Sequence, residues 1–171
     1  MPDHHRLPSD VGAKLIRSIR MPFAEVRQYR DTFLWTWTEF PDGTGYGGTP
    51  DFSEEWGPVY ARRAARLGYA TVDEYCFVHD FFHSFLAWKL KGRASQILWR
   101  LAHGMPKHED TPDEESLVIH FQEFVHGFRE DDVMEAADPD IDWYSLRDEA
   151  KALLAGADDP LRDSAATRLL R

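Results

Sequence analysis

The chain is poor in the features that mark several large protein classes. It holds one cysteine, Cys76, among 171 residues. One cysteine can form neither an internal disulfide nor a zinc ribbon, and its scarcity fits a reducing compartment. No stretch approaches the roughly 20 consecutive apolar residues of a membrane span. Met1-Pro2-Asp3-His4-His5-Arg6 has no apolar run behind it, so no signal peptide is expected. Basic residues are also in deficit, 20 against 30 acidic, for a net charge of −10. An acidic surface repels phosphate backbones, so no nucleic-acid partner is expected. These absences point to a soluble, cytoplasmic protein that does not engage a membrane.

What is present is ample material for a core. Hydrophobic residues make up 43% of the chain and aromatics 13%, well above the composition of disordered chains. The length suits one domain. The sequence predicts a flexible tail over 1–12, a single α+β domain over 13–156, and a second tail over 157–171, which could be a frayed helix.

Phe33-Leu34-Trp35-Thr36-Trp37-Thr38 is rich in aromatic and β-branched residues and reads as a strand. Lys14 to Arg20 is a candidate partner strand. Ala24 to Arg30 suits either a strand or a short helix. A small antiparallel sheet of two or three strands follows. Residues 41–58 carry five glycines and three prolines and read as a long loop, of the kind that often carries function. Its Gly43-Thr44-Gly45-Tyr46-Gly47-Gly48 run satisfies GxGxxG, but no helix opens at once behind it, as a nucleotide fingerprint requires.

Helices are expected over about Ser53–Leu67, Thr71–Leu90, Arg93–His103, Thr111–Phe128 and Trp143–Leu154, from periodicity and end signals. Thr71-Val72-Asp73-Glu74 and Thr111-Pro112-Asp113-Glu114 are capping boxes. The expected fold is predominantly helical α+β: a small N-terminal antiparallel sheet packed on a bundle of about five helices.

The second helix carries the candidate site. At 100° per residue, Phe77, Phe81, Phe85 and Trp88 form one stripe. Val72, Cys76, Leu86, Ala87 and Leu90 form a second on nearly the opposite side. A helix apolar on both sides is buried between layers. His79 and His83 fall within the second stripe and Asp80 at its edge. Buried ionisable groups need partners or a cation. Histidines at i and i+4 share a face, and Asp80 could ligate or orient an imidazole. The expected centre is therefore His79, Asp80 and His83 around a divalent metal (zinc, manganese or iron). A self-contained His–Asp hydrogen-bond cluster is the bland alternative.

Further ligands would come from His103, His108, Glu109, Glu114, Glu115, His120, Glu123 or His126. His120, at the border of its helix's apolar face, is the best candidate. Glu123-Phe124-Val125-His126 resembles the ExxH motif of di-iron bundles, but the helical wheel turns Glu123 and His126 away from Leu117, Phe121, Phe124, Val125 and Phe128, toward solvent.

His79-Asp80-Phe81-Phe82-His83 resembles the HDxxH motif of a coenzyme-Q biosynthesis family, whose zinc site adds a glutamate where this chain has Ser95. It is also similar to the central motif of HD-domain phosphohydrolases, which take another histidine from a preceding helix; none lies between His5 and His79. The HExxH of zinc proteases is similar too, with aspartate here in place of the general base. Each resemblance covers only these few residues, and none assigns a family.

Arg62, Arg63 and Arg66 form a basic cluster suited to a carboxylate or phosphate, or else a solvated helix face. Two functions follow as expectations. The first is a small metal-dependent hydrolase: His79, Asp80, His83 and His120 at the metal, Asp80 also in the catalytic role, and the arginines steering an anionic small-molecule substrate. The second is a non-enzymatic partner-binding or accessory protein.

Overall fold

The computed structural model describes residues 13–22, 24–31, 33–50, 52–90, 113–127, 134–135 and 138–156. The two expected tails, the predicted Arg93–His103 helix, and His108 and Glu109 lie outside the described residues. The described chain forms four strands and four helices. They are β1 (Lys14–Arg20), β2 (Glu25–Arg30), β3 (Leu34–Glu39) and β4 (Gly45–Gly48), then α1 (Gly57–Leu67), α2 (Val72–Lys89), α3 (Asp113–Val125) and α4 (Trp143–Ala155).

This corrects the expected architecture. The sheet has four strands, in the order β1-β2-β3-β4 with every neighbouring pair antiparallel, and four helices, not a bundle of about five, stand among the described residues. Only the loose α+β class holds, with strands first and helices after. The described chain divides into two compact units, one running to Val78 and taking in the end of α4 from Leu153, the other running from His79 to Ala152.

In the first unit the sheet is a meander closed by tight turns. Met21 and Ala24 exchange backbone hydrogen bonds between β1 and β2. Asp31 ties the next turn, its Oδ1 accepting from the Phe33 amide at 2.7 Å and from the Trp35 indole at 3.0 Å. Gly43, at φ 86°, makes the third turn, a conformation that costs glycine little.

β4 is the strand that periodicity missed, because its four residues, Gly-Tyr-Gly-Gly, include three with almost no strand propensity. What holds it is the neighbouring tryptophan. Trp37 pairs with Gly47, and a Cβ on Gly47 would stand 2.8 Å from Trp37 Cε3. One on Gly45 would stand 3.0 Å from the same ring and 2.3 Å from the Thr38 carbonyl oxygen. The glycines give the indole a flat surface to cover, so here they form a strand and not the plain loop expected. Trp37 sits in a buried cluster with Ala13, Tyr29 and Trp35.

On that same face Glu25 stands directly opposite Glu39, a like-charge pairing that is destabilising. Arg27 resolves it: its Nη2 lies 3.0 Å from a carboxylate oxygen of each.

α1 begins at Gly57 with proline in its first turn and ends at Gly68, whose left-handed φ of 82° lets its amide donate to the Ala65 carbonyl and the Tyr69 amide to the Ala64 carbonyl, the glycine C-cap geometry. Tyr60 of α1 and Tyr69 both lie against Tyr75 of α2, with ring centroids 6.5 and 5.9 Å apart.

In the second unit α2 from His79 onward packs with α3 and α4. Phe82 meets Phe121 edge-on at 5.4 Å, and Phe85 stacks with it at 6.1 Å. Trp143 and Tyr144 of α4 reach Phe121 and Phe124, and Lys89 bridges to Glu149 at 2.7 Å. Phe81, Phe82, Phe85, Leu86 and Phe121 are fully buried. Each such side chain contributes about 1.5–3 kcal/mol relative to leaving it in water.

Candidate functional site

α2 starts where the sequence places its cap. Thr71 Oγ1 accepts from the Glu74 amide at 3.2 Å, and Glu74 Oε2 accepts from the Ala70 amide at 3.3 Å. Asp73 and Glu74 lie in the first turn and Lys89 in the last, both favourable to the helix dipole. This fixes the phase of the helix and therefore the placing of its polar residues.

His79 and His83 stand one turn apart with ring centroids 4.8 Å apart and planes at 82°. The structure brings the pair together as the spacing predicts. It does not bury them as expected. His79, Asp80 and His83 are all half-buried, while Phe77, Val78, Phe81 and Phe82 around them are sealed. The apolar neighbours take the interior on both sides of the helix, and the histidines occupy the strip between. The ionisable groups thus keep some contact with water, and a solute could reach them.

His79 has a partner that the sequence did not suggest. Its Nδ1 lies 3.2 Å from Gln122 Oε1 of α3. With the amide oxygen as acceptor, Nδ1 carries the proton and donates, which makes Nε2 the lone-pair nitrogen. Gln122 is fully buried. On the wheel it lies outside the apolar face of its helix, and only packing against α2 could have revealed it.

α3 also overturns the solvated placing of Glu123. Every residue from Ser116 to Val125 is buried, Glu123 at 2% exposure and His120 at 2%, and His126 is half-buried. The helix has no water-facing side over this stretch, so the wheel's least apolar side is covered as well. Among the described residues no three histidine, cysteine, aspartate or glutamate side chains stand together as a metal-holding group. Of the other candidates, Glu114 and Glu115 lie on α3, but the described side chains begin after them.

The arginines separate by burial. Arg62 and Arg66 are exposed on α1, one turn apart, whereas Arg63 is buried. They do not form one cationic surface, because consecutive residues on a helix point about 100° apart.

No family model, no curated protein and no solved structure matches the chain. No helix among the described residues is long and apolar enough to cross a membrane.

Proposed function

We propose that the chain is a small metal-dependent enzyme, a hydrolase, whose divalent cation is held by His79 and His83 with Asp80 beside them. The observation that carries this reading is the His79–Gln122 hydrogen bond. A metal-ligating histidine almost always donates its other ring nitrogen to an oxygen, which fixes the tautomer and aims the lone pair. Gln122 supplies such an oxygen, and His83 places a second imidazole one turn away. The half-burial of all three residues leaves them open to a substrate. The cation would polarise a substrate oxygen or lower the pKa of a bound water.

The test is metal content of the untagged full-length protein by elemental analysis, followed by titration with zinc, manganese and iron(II). Wild type is expected to take up one of them stoichiometrically. His83→Ala is expected to lose most of that uptake while keeping its fold, since Phe77, Phe81, Phe85 and Trp88 are untouched. Wild-type protein that is metal-free and ignores all three ions would sink the proposal. The accessory-protein reading, with a structural histidine cluster, would then stand.

A further inference from the structure

The first unit contains a second polar assembly, unrelated to the histidines. Arg17 pairs with Gln28, Gln28 with Thr36, and Thr36 with Gly48. Residues directly opposite in an antiparallel sheet share a face, so the four form one row across all four strands. The first three are deeply buried, at 6%, 0% and 5% exposure.

Buried polar groups are normally hydrogen-bonded, and several atoms of this row are not. Arg17 Nε and Nη1, Gln28 Oε1 and Thr36 Oγ1 have no hydrogen-bond partner among the described residues. Gln28 is oriented, because its Nε2 donates to the Asp73 carbonyl oxygen at the start of α2 at 2.8 Å. Its oxygen is thereby left as an acceptor. Arg30, on the same face, pairs with the Asp73 carboxylate, so that acid already has a cation. Asp73 and Glu74 also act on Arg17 electrostatically.

The β4 end of the row is open. A Cβ on Gly48 would meet nothing within 4 Å, in contrast to Gly45 and Gly47, which Trp37 covers on the other face. The row thus crosses the whole sheet, from β4 over a hydroxyl and an amide oxygen to a guanidinium on the opposite edge strand β1.

We propose that this row is a binding site for a small carboxylate carrying a hydrogen-bond donor on the adjacent carbon, a 2-hydroxy or 2-amino acid. The guanidinium takes the carboxylate. The neighbouring hydroxyl or amine donates to Gln28 Oε1, and Thr36 Oγ1 completes the contact. Burial also draws the Glu74 carboxyl toward its neutral form, which favours an added anion beside Arg17.

The experiment is calorimetric and ligand-observed NMR titration of the full-length protein with glycolate, glycine, acetate and inorganic phosphate. Glycolate or glycine is expected to bind at least tenfold more tightly than acetate, which lacks the donor, and than phosphate. Arg17→Met is expected to abolish binding and to raise the melting temperature, because an unpaired buried charge gives way to an apolar side chain of similar length. Should that variant misfold, Gly48→Val tests the same site from its open end. It should fold normally and lose binding. Failure of wild type to bind glycolate or glycine, equal binding of acetate, or undiminished binding by Gly48→Val would each overturn the assignment. In the first case the row holds water alone.

Discussion

His79 Nδ1 and Gln122 Oε1 stand 3.2 Å apart, joining α2 to α3 within the second unit. Gln122→Leu keeps the volume and removes the acceptor. If Nε2 of His79 serves a metal, loss of this orienting contact should weaken zinc binding about 10–100-fold. A purely structural contact predicts another outcome: no change in zinc uptake and a loss of about 1–3 kcal/mol, since the ring N–H is left without its acceptor. Zinc titration and denaturant melts on one pair of proteins separate the two.

The edge strand gives a sharper packing test. A side chain at Gly47 would meet Trp37 Cε3 at 2.8 Å and the Thr36 carbonyl oxygen at 3.1 Å, whereas one at Gly48 meets nothing within 4 Å. Gly47→Val should therefore cost about 1–3 kcal/mol by overpacking. Gly48→Val should be close to neutral. Equal losses at the two positions, measured by urea unfolding, would refute the view that Trp37 rests on this strand.

Much of the fold was legible in residues whose local chemistry is decisive. Thr71 and Glu74 announced the start of α2, Gly68 the end of α1, and the Trp-Thr alternation β3. Gly45 and Gly47 were not readable as strand residues, because their strand character comes from Trp37 and not from themselves. The pairing of His79 with His83 followed from spacing alone. Their half-burial, and the burial of Glu123, did not, since a wheel ranks the faces of one helix without knowing how many neighbours cover it. Gln122, Arg17, Gln28 and Thr36 were passed over for a related reason. Their meeting depends on helix packing and strand register, and neither is encoded in any single segment.

The cap of α2 bears on the polar row of the sheet. Thr71 Oγ1 accepts from the Glu74 amide, and Gln28 reaches the Asp73 carbonyl in the same turn. Thr71→Ala should cost about 1 kcal/mol, the usual loss for an N-cap. Because the frayed turn contains Asp73, amide exchange at Glu74 and Tyr75 should rise together with exchange of the Gln28 side-chain amide. Faster exchange at the helix amides alone would show that the Gln28 contact does not depend on the cap.

Glu74 sets the direction of one pH dependence. Burial raises its carboxyl above the ordinary value of 4.5, against the opposing pull of the Ala70 amide and of Arg17. The folded protein therefore holds this proton more tightly than the unfolded chain does. The resulting stability is fully present below the unfolded value and is lost as pH rises through the folded one. Asp31 and Asp42 act oppositely, because hydrogen bonds from Phe33 and Trp35 and from Thr44 lower their values; their contributions are present above the ordinary aspartate range and fade as pH falls. A plain stability profile mixes these effects, so the informative quantity is the difference between wild type and Glu74→Gln. The amide stays neutral and can still accept from Ala70. Wild type should lose stability relative to Glu74→Gln as pH climbs from about 4.5 through the raised value, and the difference should then level off. If Arg17 instead dominates over burial, the difference runs the other way, with wild type gaining on the variant as pH rises. Urea unfolding at closely spaced pH values reads the sign directly.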